Sequence, residues 1–155
     1  MTLISTTTLS GASTTLSSIP QTYNYLYLVI AGVTNNTFDP IYRIAPNADT
    51  NLCNFVEPTD SGTQKDAGGR LRFTKTGGSG KNNSDNAWNV IFTNYTSATR
   101  HKPFSVFGRY VNPSSVNEPY FAFGNYSSNT AITSLVISPD TQTFAGGTVL
   151  LYGVK

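Results

Sequence analysis

The amino-acid sequence predicts an all-β fold, a two-sheet antiparallel β-sandwich of jelly-roll-like architecture. Strand-forming Thr, Tyr and Phe are plentiful, while Glu and Lys, which favour helices, are scarce. About ten short β-prone stretches recur at about 8–12-residue spacing between Gly, Pro and Asn clusters, and none keeps a helical period. The longest β-forming run lies within Ser18 to Gly32, S-I-P-Q-T-Y-N-Y-L-Y-L-V-I-A-G. Leu26, Leu28 and Ile30 fall on one face of an extended strand, with Tyr23, Tyr25, Tyr27 and Val29 on the other. Few positions on either face are strongly polar. The run therefore reads as a central strand covered on both sides for most of its length.

The 155 residues suit one domain, residues 1–155, large enough to need no disulfide or metal staple. Residues 1–18 contain two similar Ser/Thr stretches split by Ser10-Gly11-Ala12, a pattern that predicts a hairpin packing on that domain. Ile19-Pro20 closes the second stretch, because Pro cannot donate to a central ladder. The organising strand breaks at Gly32 to Asn36. Strands follow near Pro40 to Ala45, ended by Pro46-Asn47, and over Leu52 to Glu57, ended by Pro58. Residues 58–69 read as a loop. Arg70 to Lys75 alternates, with Leu71 and Phe73 facing one way and Arg70, Arg72 and Thr74 the other. Gly77 to Asn86 reads as a surface loop. Further strands are expected over Trp88 to Tyr95, His101 to Val111, Tyr120 to Asn125, Ala131 to Ser138 and Thr148 to Val154. Ser138-Pro139-Asp140 and Ala145-Gly146-Gly147 read as turns.

Composition excludes several function classes. Charged residues are 12% of the chain, against about 25% in ordinary domains. Thr, Ser and Asn fill roughly a third of it instead. A net charge of +2 is too small to be a nucleic-acid footprint. The pairs Arg70/Arg72, with Lys75, and Arg100/Lys102 read as solvated strand ends. The N-terminus has neither a basic segment nor an apolar core of a signal peptide, and Leu26 to Val33 is too short to span a bilayer. No membrane association is expected. The Asn-Xaa-Ser/Thr triplets at Asn35, Asn82, Asn94 and Asn125 are unremarkable in a chain of this composition.

No motif carries catalytic chemistry. Cys53, the single cysteine, reads as a buried small hydrophobe and fits folding in a reducing cytoplasm. Gly80-Lys81-Asn82 lacks the hydroxyl and the following helix of a phosphate loop. Asn82, Asn83 and Asp85 lack EF-hand spacing. His101, the only histidine, has no carboxylate near it in sequence to orient it as a base. The eight carboxylates mostly sit in or beside turns, where Asp caps backbone amides, and nothing marks a glycosidase pair. Neither catalytic residues nor a cofactor nor a metal is expected. Trp88 and Phe92 read as core. Tyr110, Tyr120 and Tyr126 are the candidate partner contacts on an otherwise hydroxyl-rich surface.

The order S-I-P-Q-T-Y-x-x-L-x-L-V-I-x-G from Ser18, then Asn94-Tyr95-Thr96 with His101-Lys102, Thr130 to Leu135, Phe144 to Thr148, and Leu151 to Val154 resembles a family. These are small β-sandwich virion proteins of tailed bacteriophages, notably marine ones, found as stand-alone virion proteins and as tail-fibre-like modules. The resemblance spans about Leu9 to Val154 and rests on structural residues, so it transfers no active site. It implies a non-enzymatic virion structural protein, made in the cytoplasm of a bacterial host. Such a protein would decorate or cement the capsid through contacts with the major capsid protein. The alternative it leaves open is a tail-fibre or receptor-binding module contacting tail proteins and recognising a host-surface glycan. Repeated use on a symmetric shell predicts self-association, with a trimer the form considered.

Overall fold

The computed structural model describes residues 1–36, 41–59, 62–74, 83–112 and 114–155, and for residues 58, 59 and 62–68 it describes the backbone. The sequence expectations at Pro40, at Lys75 and over the loop segment 77–82, including Lys81 and Asn82, lie outside the described residues. Twelve strands are described: β1 (Thr2–Thr8), β2 (Thr14–Leu16), β3 (Tyr25–Asn35), β4 (Tyr42–Pro46), β5 (Cys53–Thr59), β6 (Gly62–Gly69), β7 (Leu71–Arg72), β8 (Ala87–Thr93), β9 (Lys102–Val111), β10 (Asn117–Tyr126), β11 (Leu135–Pro139) and β12 (Phe144–Val154). They form two antiparallel sheets packed as a sandwich. The larger has eight strands in the order β1-β12-β3-β8-β9-β10-β5-β6, the smaller four in the order β2-β11-β4-β7. The chain crosses repeatedly from one sheet to the other, so each short strand of the small sheet is flanked in sequence by strands of the large one.

β3 holds the expected central place, between β12 and β8. Leu26, Leu28 and Ile30 are fully buried between the sheets. The opposite face is less covered than the residue pattern suggests. Tyr25, Tyr27 and Val29 are half-buried, because among the described residues only neighbouring strands shield them. β8 places Trp88, Val90 and Phe92 in the core, as its alternation requires. Trp88 anchors an aromatic cluster, with Phe73 edge-on at 5.0 Å and Tyr42 at 6.0 Å. Gly108 on β9 lies against this tryptophan. A Cβ there would fall 2.2 Å from the Ala87 carbonyl oxygen and 2.8 Å from Trp88 Cδ1, so only glycine fits.

Several boundaries differ from the expected ones. β1 and β2 do not form a hairpin with each other: β1 pairs with β12 in one sheet and β2 with β11 in the other. The backbone of 62–69 is strand β6, paired with β5, where a loop was expected. β5 runs through Pro58, which an edge-proximal position tolerates. Gly146 and Gly147 lie inside β12 at register shifts against β3, so the expected turn is a bulged strand. Arg70 and Thr74 fall outside β7, and Leu71, Arg72, Phe73 and Thr74 are all buried. The turn at Pro46-Asn47 is as expected. Asn47 takes a positive φ of 53° and clips the segment before β11, its Oδ1 accepting from the Thr133 and Ser134 amides and its Nδ2 donating to the Ala131 carbonyl.

Candidate functional site

Two constellations stand out, one inside the sandwich and one on its surface. The interior one joins the sheets. Glu57 on β5 and Tyr120 on β10 belong to the large sheet, Arg72 on β7 to the small one. An Arg72 Nη2 lies 2.9 Å from Glu57 Oε1, with the glutamate fully buried and the arginine nearly so. The Tyr120 hydroxyl is 2.9 Å from both Glu57 Oε2 and the Arg72 carbonyl oxygen. The guanidinium also sits 5.5 Å from the centre of the Phe55 ring. Burial, and then the neighbouring Glu57 carboxylate, push the Tyr120 hydroxyl well above its ordinary pKa. A proton held this firmly suits a clamp and disfavours acid–base exchange.

This placement corrects three sequence expectations. Tyr110, Tyr120 and Tyr126, the expected partner contacts, are each at most 2% exposed and point into the core. They offer no ring to a partner. Arg72 is a buried ion-pair member and not a solvated strand end, its partner Glu57 lying within β5. Lys102 is likewise buried, its Nζ donating to the Ser128 carbonyl at 2.7 Å, with desolvation lowering its pKa. Of the other residues singled out, Arg70 reaches Ser138 Oγ at 3.2 Å and Arg100 is exposed. His101 is exposed, 3.4 Å from Asn125 Nδ2. Cys53 is fully buried, and desolvation pushes its thiol up to about 12. Among the described residues, no three His, Cys, Asp or Glu side chains converge as a metal site. No helix of the described residues is long and apolar enough to cross a membrane.

The surface constellation is the outward face of the large sheet. Strand register lines up one row across seven strands: Val56, Phe123, Ser105, Ile91, Tyr27, Tyr152 and Leu3. The next row contains Phe121, Phe107, Asn89, Val29 and Leu150. Tyr27 donates to Asn89 Oδ1 and lies 6.2 Å from Tyr152, ring to ring. Toward the β5 end the face becomes openly apolar: Phe123 is 57% exposed, Phe107 44%, Phe121 42% and Val56 41%. Phe107 and Phe121 are directly opposite each other, as are Phe123 and Val56, and the rings of Phe121 and Phe123 are 6.2 Å apart. These four residues expose about 300 Å² of apolar surface, within the range of functional patches on monomers. A shallow hollow of about 200 Å³ lies beside them, bounded by Ile91, Thr93, Pro103, Phe104 and Ser105. Among the described outward-facing strand residues of this sheet, Arg109 alone is charged, and it is ion-paired with Asp85 and bonded to Asn117 Oδ1.

The sequence reading missed Val56, Phe107, Phe121 and Phe123. Its available signal was the Phe121-Ala122-Phe123 alternation, whose two faces are both apolar: one had to face outward. Compared with models of known protein families and with curated proteins, the chain matches none.

Proposed function

We propose that this chain works by attachment, as a non-enzymatic structural protein of a tailed-bacteriophage virion that decorates the capsid through protein–protein contacts. The observation that carries the reading is the outer face of the eight-stranded sheet, where Arg109 alone is charged among the described outward side chains and Phe107, Phe121 and Phe123 form an apolar end. With one charge among its described outward side chains, and that one paired with Asp85, this part of the face has little to steer a charged substrate or nucleic acid. It can bury aromatic surface against another protein, with the phenylalanines as anchors and the half-buried Tyr and Asn positions as a polar surround. A standard interface takes about 800 Å² per partner, so the four-residue patch would form its centre and the neighbouring rows its periphery. The virion setting rests on the family resemblance of the sequence.

The test mixes the protein with particles lacking it across about 50 to 500 mM salt and measures occupancy. Saturable rebinding that persists at high salt, and is lost in Phe121→Ser/Phe123→Ser while the fold is retained, is the expected result. Rebinding that falls tenfold or more across that range would replace the apolar contact by an electrostatic one. The hollow beside Ser105 and Thr93, with Phe123 and Tyr27 in flanking positions, favours one second reading: a tail-fibre module binding a neutral host-surface glycan. Binding to host polysaccharide without binding to shells would select it.

A further inference from the structure

The sandwich has four lateral strand edges: β1 and β6 on the large sheet, β2 and β7 on the small one. A free edge presents a row of unpaired N–H and C=O groups to any extended chain, and sheets usually blunt it by shortening, proline or charge. β2 has three residues and β7 two. β6 carries Lys65 and Asp66 in its sequence. β1 has neither defence. Its seven residues, Thr2–Thr8, include no charge and no proline. Among the described residues its one sheet neighbour is β12. A bulge between Leu3 and Ser5 interrupts it, yet Ser5 to Thr8 remains in continuous register.

We propose that β1 is a self-association edge, pairing antiparallel with β1 of a second copy about a two-fold axis and joining the two large sheets into one. A second copy fits this edge better than an unrelated strand for three reasons. It brings an identical open edge, so one contact satisfies both rows of backbone groups. Antiparallel pairing lays a Thr-rich strand against itself, where Thr–Thr pairs are favourable and no like charges meet. A two-fold contact closes on itself, so the free edge is consumed and further strands are not recruited. Leu3 lies at this edge on the outward face, 51% exposed, at the end of the uncharged row described above. Edge pairing continues that row from one copy into the other and doubles the docking face. The inference rests on the edge and stands whether or not that face binds a shell.

The experiment is sedimentation of the full chain at micromolar concentrations, with the mass expected at twice 16.7 kDa. Thr6 and Thr8 are exposed and on the outward side of β1, so charges there spare the core. Thr6→Lys/Thr8→Lys should sediment as a folded monomer, and Thr6→Glu/Thr8→Glu likewise. An equimolar mixture of the two should restore the dimer, a result that misfolding cannot produce. Amide exchange over Ser5 to Thr8 should be slower in the dimer than in the lysine variant. A monomeric parent protein overturns the proposal, as does a trimer, or a dimer that survives the lysines. So does a dimer abolished by Phe121→Ser/Phe123→Ser instead, which would place the contact on the sheet face. Failed shell rebinding by a confirmed dimer would count against the attachment reading alone.

Discussion

Replacing Glu57 by Gln isolates the charge in the clamp between the sheets. The amide keeps the shape and can still accept from Tyr120, but it removes the negative charge 2.9 Å from the buried Arg72 guanidinium. Removing one member of a buried ion pair costs about 3–5 kcal/mol, because the desolvated survivor loses that attraction. For a chain of 155 residues the unfolding entropy makes each kcal/mol worth about 3 °C, so the midpoint should fall by about 9–15 °C. The double variant Glu57→Leu/Arg72→Met removes both charges together. It should lie within about 1–2 kcal/mol of the parent, since apolar replacements of a buried pair are often close to neutral. Urea melts of the parent, Glu57→Leu, Arg72→Met and the double variant complete a thermodynamic cycle, with Glu57→Gln measured beside it. A Glu57→Gln cost below about 1 kcal/mol, or single costs that simply add, would refute the claim that this pair is desolvated and coupled.

Leu28→Ala should cost about 2–5 kcal/mol, because Leu28 is fully buried with Val90 and Leu151 directly opposite on the flanking strands, whereas exposed His101→Ala should be near neutral by the same melts. Equal effects would mean that β3 is not the core strand. The raised thiol of Cys53 predicts an alkaline loss of stability. Its folded pKa of about 12 exceeds the reference 9.0, so its contribution is fully present below pH 9 and is lost as pH rises toward 12. The slope this adds is at most about 1.4 kcal/mol per pH unit. Comparing parent and Cys53→Ala from about pH 8 to pH 11 separates the thiol from Tyr120, which acts in the same direction, and from Lys102, whose lowered pKa acts in the opposite one. Parallel pH profiles for the two proteins would contradict the burial of Cys53.

The residue order by itself determined the class of fold, the central strand and the turn at Pro46-Asn47. Those are local properties: β-branched and aromatic runs favour extended backbone, and Pro46-Asn47 punctuates a strand whatever surrounds it. Trp88, Val90 and Phe92 could be assigned to the core because their neighbours Asn89 and Thr93 are polar. Polarity does not discriminate in β10, where Tyr120 and Ala122 alternate with Phe121 and Phe123. A tyrosine is ordinarily the better candidate for the surface, and that expectation failed. Tyr120 turns inward because Glu57, 63 positions away, and the Arg72 carbonyl, 48 positions away, accept its hydroxyl in the core. The phenylalanines, which need no partner, are left outside. Likewise nothing local marks Arg72 as buried, since its counter-ion comes from the other sheet. Strand order also decided that β1 is an open edge, because β1 and β2 join different sheets although their sequences suggest a hairpin. Alternation divides a strand into two faces; which face is inside depends on partners that only the packed sheets bring within hydrogen-bond distance.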